Sequence, residues 1–151
     1  MIELLGTAAV LGSGIVAGVF FAVAVSVLPT VQTLPAHLYV ELHRKLGEGY
    51  HPVMPLVVTA GVLADVALLF LADGTAPRVL FAVALLALVG VQLVSQFGNV
   101  PINRVVHAQD PAAIPDDWED PRPRWRNWHR LRTAFALTAL TVNGLAVAML
   151  P

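Results

Sequence analysis

Long apolar segments alternate with short polar ones along the chain. The apolar segments run from about Leu4 to Leu28, Val53 to Ala72 and Arg78 to Gly98, and a fourth span opens with R-W-R-N-W-H-R-L-R-T over 124–133 and continues from Phe135 to Leu150. A helix of about 20 apolar residues crosses the roughly 30 Å hydrocarbon core of a bilayer. The pattern predicts an all-α integral membrane protein whose residues 1–151 form one domain with four spanning helices. Pro29 is expected to stop the first span.

The polar segment between the first two spans predicts a short helix over residues 36–50. One face would carry His37, Glu41, Arg44 and Glu48, and the other Tyr39, His43, Leu46 and Tyr50. The second face is typical of a helix that lies at a membrane interface. The turn around Gly74 is tight, and the acidic, proline-rich segment 104–123 predicts a loop outside the membrane.

Basic residues are concentrated in the first and third polar connections. The chain has nine Lys and Arg residues. All but Arg78 lie in these connections, namely Arg44, Lys45, Arg104, Arg122, Arg124, Arg126, Arg130 and Arg132. By the positive-inside rule both connections face the cytoplasm and both termini lie outside. The expected fold is therefore an up-down-up-down four-helix bundle with a short interfacial helix between spans one and two.

Composition supports a membrane protein and excludes several classes of site. Hydrophobic residues make up 57% of the chain and charged residues only 13%, about half of the share usual in soluble domains. A net charge of −1 gives no bulk attraction to nucleic acid. The chain has no cysteine, which excludes disulfides, thiolate metal sites and cysteine nucleophiles. The first apolar segment is expected to be a retained span rather than a cleaved signal.

Four amides interrupt the end of the third apolar segment. Gln92, Gln96, Asn99 and Asn103 follow one another at spacings of four, three and four, which predicts a single helical face. Buried amides cost free energy unless they find partners, so this face is expected to point at other protein or at a site. Pro101 is expected to kink or end the helix. The first two amides are predicted to pack helices, and the last two to contact a ligand.

The predicted topology brings the chemically informative residues to one depth, near the cytoplasmic membrane boundary. They are His43, His51, Gln96, Asn99, Asn103, Trp125, Trp128, His129 and Arg132. A histidine with its ordinary pKa is a suitable general base, and His43 or His129 would serve. Arg132 would bind an anionic or enolate-like oxygen, although an ion pair with Glu48 or Asp110 explains it equally well.

Each of these residues also has a purely structural interpretation. His43, His51 and His129 would form a copper or iron site if they converged, but no ligand spacing fixes two of them on one helical face. Otherwise these histidines are interfacial hydrogen-bonding residues, and Trp125 and Trp128 belong to an aromatic belt. The buried carboxyl of Asp65 is a packing group or a functional one. The pair Gly14 and Gly18 indicates close helix packing or, less often, a homo-oligomer seam.

Several motifs together resemble the anthrone oxygenase-like membrane proteins. They are A-G-V-F-F-A-V-A-V-S-V-L-P over residues 17–29, N-V-P-I-N over 99–103 and W-x-x-W-H-x-x-R-T over 125–133. The resemblance implies a four-helix membrane protein, and some family members oxidise anthrones to anthraquinones without a flavin or haem signature. It also implies that Asn99, Asn103, Trp125 and Arg132 line the site. Several members have Asn where this chain has His129.

Three functions are consistent with these observations. The first is an oxygenase that uses O2 on an apolar, aromatic substrate entering from the bilayer, with Gln96, Trp125 and Trp128 contacting that substrate. The second is a copper- or iron-dependent membrane enzyme. The third is a non-catalytic carrier or accessory subunit in which the amides hold helices together.

Overall fold

The computed structural model describes residues 1–150, and they are helical with no strand in that range. The α-helices are α1 (Ile2–Ala22), α2 (Leu28–Gln32), α3 (Ala36–Glu48), α4 (Val53–Leu71), α5 (Thr75–Val94), α6 (Val100–Ala108) and α7 (Arg122–Val147). Two π-helical turns, Val23–Val27 and Ser95–Asn99, join α1 to α2 and α5 to α6. The prediction of an all-α protein is confirmed.

Three continuous helical segments are long and apolar enough to cross a membrane. They are Ile2–Gln32, Val53–Leu71 and Thr75–Ala108. The fourth long helix, α7, is not among them because its first turns carry five arginines and only the stretch from Thr133 to Val147 is free of charge. The predicted fourth crossing and the orientation of the bundle therefore stay predictions.

The four long helices pack side by side, with α1 against α4 and α7, and α5 against the same two helices. Apolar clusters fill their shared interior, for example around Leu68, Phe81 and Leu88, all fully buried. Large apolar side chains also cover the outside, including Leu56, Phe70 and Leu86. Such an apolar exterior fits lipid rather than water.

A close backbone approach between α1 and α4 involves Gly12 rather than the pair Gly14 and Gly18 singled out from the sequence. A Cβ at Gly12 would lie 3.2 Å from the Cα of Gly61 in α4. Among residues 1–150, a Cβ at Gly14 would meet only Leu140 at 3.6 Å, and one at Gly18 would meet nothing within 4 Å. Gly12 therefore packs within the molecule, as small residues do in membrane helices, whereas Gly18 is exposed.

Neither Pro29 nor Pro101 ends its helix, so the predicted stop at Pro29 is wrong, and of the two alternatives predicted for Pro101, a kink or an end, the end is wrong. The helical path continues to Gln32 after Pro29 and to Ala108 after Pro101. Each proline lies in the first turn of a new helix, directly after a π-helical turn. A first-turn proline lacks only an N–H that the helix does not need there. Residues 104–108, predicted as loop, consequently belong to α6.

Arginines tie the polar connections to the ends of helices. Arg44 donates from Nη2 to the carbonyl oxygens of His107 and Gln109, at the C-terminal end of α6. Arg122 donates from Nη1 to Val31 O at 3.1 Å and to Leu34 O at 2.6 Å, just beyond α2. Carbonyls at helix ends lack intrahelical donors, and these side chains supply them.

A buried polar cluster lies between α1, α4 and α7. Ser13, Asp65 and Asn143 have no solvent exposure. Asn143 Nδ2 donates to Ala9 O and to Ser13 Oγ, each at 3.4 Å. Asp65 lies beside Asn143, yet neither of its carboxyl oxygens has a hydrogen-bond partner within residues 1–150. This cluster is separate from the cavity described next.

Candidate functional site

A cavity of about 570 Å³ lies where α1 and α5 end and where α4 and α7 begin. Its size is within the range of small-molecule sites. Most of its wall is apolar, with Val23, Met54, Val58 and Val91 among the lining residues. Its polar and aromatic lining includes Tyr39, His43, His51, Gln92, Ser95, Gln96, Asn103, Trp125 and Arg132. An apolar chamber with a few placed polar groups suits an apolar ligand that carries one or two oxygens.

Both π-helical turns border this cavity. Val23 and Val27 come from the first turn, and Ser95 and Gln96 from the second. A π-helical turn contains an extra residue relative to an α-helix, so it changes which side chains face inward. Single turns of this kind often occur at functional sites.

The second turn splits the predicted amide face. Gln92, Gln96 and Asn103 line the cavity, but Asn99 does not. Asn99 is fully buried and donates from Nδ2 to the backbone oxygen of Trp125 at 3.2 Å. Asn99 therefore leaves the face of Gln92 and Gln96, because the extra residue rotates it relative to them, whereas Asn103, one helical turn further on, still lines the cavity.

Asn103 connects two aromatic side chains at the cavity wall. Its Oδ1 accepts from Trp125 Nε1 at 2.8 Å, and His43 Nε2 lies 3.1 Å from the same oxygen. An indole N–H only donates, so the amide atom it meets is the oxygen. His43 must then donate to that oxygen through Nε2–H, and its Nδ1 keeps a free lone pair. The geometry thus fixes the tautomer of His43 and leaves one basic nitrogen.

Burial keeps His43 neutral. It lowers the pKa of His43 to about 4, and the nearby His107 and Arg132 act in the same direction, against the hydrogen bond to Asn103. Burial also raises the pKa of the neighbouring Tyr39 hydroxyl well above its usual range. Both groups are therefore uncharged at neutral pH.

His129 and Arg132 form a second unit of the site. His129 is fully buried, and its Nε2 lies 2.9 Å from Phe20 O. Its Nδ1 lies 3.1 Å from Arg132 Nε and 2.8 Å from Arg132 Nη2. His129 does not line the cavity, whereas Arg132 does.

The guanidinium of Arg132 contacts aromatic faces instead of a carboxylate. Its Cζ lies 4.4 Å from the centroid of the Phe20 ring and 5.7 Å from that of Trp125. Nη1 is 3.5 Å from Ser95 Oγ. Within residues 1–150 the ion pairs are Lys45–Glu41 and Arg122–Asp120, so Arg132 pairs with neither Glu48 nor Asp110.

The remaining predicted site residues have different positions. His51 is exposed and lines the cavity together with Gln96. Trp128 does not line it and packs against Gly98, where a Cβ would lie 2.5 Å from the indole. No group of three or more His, Asp or Glu side chains in residues 1–150 could hold a metal ion. The structure thus does not bring His43, His51 and His129 together as a ligand set.

Sequence reasoning missed Phe20, Ser95 and Tyr39 as members of the site. Phe20 contributes a carbonyl oxygen and a ring, and apolar residues in an apolar span give no sequence signal for either role. Ser95 is a small polar residue three positions after Gln92, and this spacing is the sequence signal that could have placed it on the same helical face.

Comparison with known proteins finds one family. The family model described as anthrone oxygenase matches residues 44–142, more than half of the chain. The match contains Asn103, Trp125, His129 and Arg132, and it begins one residue after His43. No curated protein and no solved structure matches the chain.

Proposed function

Because the chain belongs to the anthrone oxygenase family, we propose that it is a membrane-embedded oxygenase that oxidises an apolar aromatic substrate with O2. The reaction takes place in the cavity between the ends of α1 and α5. The observation that carries the proposal is the guanidinium of Arg132, which faces an apolar chamber without a carboxylate partner among residues 1–150. A cation in such surroundings favours an anionic oxygen in a bound ligand.

The first step is removal of a proton from a CH2 group that is conjugated to a ring carbonyl. His43 Nδ1 accepts this proton, because Nε2–H is held by Asn103 Oδ1 and Nδ1 keeps its lone pair. The anchored imidazole has one orientation, which preorganises the base, and burial gives it a pKa of about 4 rather than the ordinary value expected from the sequence. The product is an enolate.

Arg132 stabilises the enolate oxygen. The low-dielectric walls strengthen this interaction relative to water, and the guanidinium needs no reorganisation when the charge develops. The amide groups of Gln92 and Gln96 on the same cavity supply further hydrogen bonds for substrate oxygens.

The enolate carbon then forms a C–O bond with O2. A proton converts the product to a hydroperoxide, and loss of the remaining C–H proton with cleavage of the O–O bond gives a ketone and water. The carbon is oxidised by four electrons and O2 is reduced by four. One CH2 group and one O2 thus yield one C=O group and one H2O.

Oxygen uptake with anthrone tests this function. Protein in nanodiscs should consume O2 faster than the spontaneous background and form one anthraquinone per O2. Arg132→Gln should lower kcat by about 100-fold or more, as loss of an oxyanion-stabilising donor does. His43→Gln keeps a donor for Asn103 but removes the base, and it should also be strongly impaired. His37→Gln, an exposed position away from the cavity, is the matched control.

Equal rates for the wild type, Arg132→Gln and the background would overturn the proposal. Tight binding of anthraquinone without oxygen uptake would instead support a carrier.

The proposed enzyme crosses the bilayer four times, with α7 as the fourth span and both polar connections in the cytoplasm. Support comes from the charge distribution and from exposed apolar residues along α7, such as Leu131, Leu137 and Leu145. The chain has no cysteine, so a single introduced cysteine is the sole thiol that a maleimide can label. Asp73→Cys should react with an impermeant maleimide in intact cells, and Asp117→Cys only after permeabilisation. The reverse labelling would refute this orientation.

A further inference from the structure

His129 occupies a closed position behind the cavity wall. Its ring stacks on Trp125, with centroids 5.1 Å apart and planes inclined by 8°. The Phe20 ring packs edge-on against it at 5.6 Å. The imidazole therefore cannot reach a ligand unless the wall rearranges, and its role must be sought in its hydrogen bonds.

Those hydrogen bonds determine the protonation of both ring nitrogens. A backbone carbonyl only accepts, so the 2.9 Å contact with Phe20 O places a proton on Nε2. A guanidinium only donates, so Nδ1 must offer its lone pair to Nε and Nη2 of Arg132. Both nitrogens are occupied in the neutral Nε2–H tautomer. No lone pair remains for a substrate proton or a metal ion.

We infer that His129 is a positioning residue that fixes the guanidinium of Arg132 at the cavity wall. The inference rests on the proposed function, in which Arg132 binds the enolate oxygen. His129 holds the edge formed by Nε and Nη2, and the Phe20 ring supports one face of the guanidinium plane. The edge with Nη1, near Ser95, is left to face a ligand oxygen.

This arrangement has a specific energetic consequence. A free arginine side chain samples many rotamers, and anchoring one edge removes most of that freedom before the substrate arrives. The second hydrogen bond of the imidazole, to Phe20 O, prevents the ring from rotating away. His129 is held by the backbone of α1, and it in turn holds the guanidinium of Arg132 in one position.

Substitutions that keep or remove the two hydrogen bonds test the role. His129→Gln retains one donor and one acceptor, whereas His129→Phe retains the aromatic stack and loses both. We expect His129→Phe to lower kcat/KM by about 10- to 100-fold, the usual effect of a displaced catalytic group. His129→Gln should keep most of the activity, and neither variant should move the acid limb of the pH profile. His37→Gln again serves as the control.

Two readouts do not depend on turnover. In ¹⁵N NMR of histidine-labelled protein, the His129 signals should report an unprotonated Nδ1 that does not titrate between about pH 5 and 8. Alizarin, whose colour reports ionisation, should bind as its phenolate at lower pH than in solution. This shift should persist in His129→Gln and disappear in His129→Phe and Arg132→Gln.

A protonated Nδ1 would overturn the inference, as would equal loss of activity and of the alizarin shift in folded His129→Gln and His129→Phe. An unchanged His129→Phe would also overturn it. If the wild type consumes no O2 with anthrone but retains the NMR signature and the alizarin shift, the proposed oxygenase function fails while the positioning role stands.

Discussion

Among the glycines, Gly98 is the one whose substitution by alanine should lower the stability of the protein most. A Cβ there would lie 2.5, 2.7 and 2.9 Å from three ring atoms of Trp128. Carbon atoms pack comfortably at about 3.5–4.0 Å, so the indole or the π-helical turn must move by about 1 Å. The indole is rigid and half-buried, and it belongs to the cluster around Tyr39 and Ile102. Overpacking of this kind costs about 1–3 kcal/mol.

The matched control is Gly18→Ala. Both glycines are helical, but a Cβ at Gly18 would meet no atom of residues 1–150 within 4 Å. Replacement of an open helical glycine by alanine stabilises a helix by roughly 0.5–1 kcal/mol. The helix gain is common to both variants, so they should differ by the overpacking cost alone, about 1–3 kcal/mol.

Reversible unfolding in mixed detergent micelles measures this difference. The double variant Gly98→Ala with Trp128→Ala should recover part of the loss relative to the sum of the single variants, because the clash requires both side chains. Equal stability of Gly98→Ala and Gly18→Ala would refute the reasoning, and additive single effects would show that Trp128 is not the source of the strain.

Three further predictions follow from the buried polar groups. Since the pKa of His43 is lowered to about 4, activity should fall near pH 4 rather than near pH 6.5. In the unfolded chain this imidazole gains a proton below about pH 6.5, so the free energy of unfolding should decrease as the pH falls from about 6.5 to 4. The decrease should be smaller in His43→Gln. Asp65→Asn should change the free energy of unfolding by less than about 1 kcal/mol if the carboxyl is neutral in the fold; a loss above about 3 kcal/mol would indicate a paired carboxylate. Arg122→Gln should lower the free energy of unfolding by about 1–3 kcal/mol, because it leaves the carbonyls of Val31 and Leu34 without their donor. Arg124→Gln, at an exposed position, is the control and should not lower it. Equal melting temperatures of the two variants would contradict the capping role of Arg122.

The helices were predictable because their signals are local and repeated. Each apolar segment is long, and the breaks at Gly74 and at the acidic loop use residues that disfavour helix. The boundaries of α3 and α4 accordingly agree with the prediction to within about two residues. Membership of a helix depends on many positions at once, so no single residue decides it.

The π-helical turns could not be read from the sequence. Val23–Val27 has the composition of an ordinary membrane helix, and the weak helix formers in Ser95–Asn99 indicate a break rather than a π-helical turn, as do the prolines that follow both turns. The predicted amide face assumed 3.6 residues per turn throughout. One extra residue was enough to turn Asn99 away from the cavity.

The site was predictable in location and not in its contacts. Charge and hydropathy indicated that His43, Asn103, Trp125 and Arg132 should meet at one depth, which depends only on the order of the segments. The partner of His129 is the backbone oxygen of Phe20, and every residue has such an oxygen. A hydrogen bond to a backbone oxygen does not depend on the residue type, so it cannot be predicted from the sequence.

The π-helical turn at Ser95–Asn99 sets which amides this cavity presents. Deleting one residue from the turn would restore a regular helix and leave every later residue facing as it does now, because the turn holds one residue more than an α-helix needs. Conversion of the turn to α-helix at constant length would instead rotate everything after it by about 100°. Asn99 would then turn toward the face of Gln92 and Gln96, and the aromatic partners of Asn103 would change. A change of helix type over five residues would therefore exchange the amides presented to a ligand without altering any side chain.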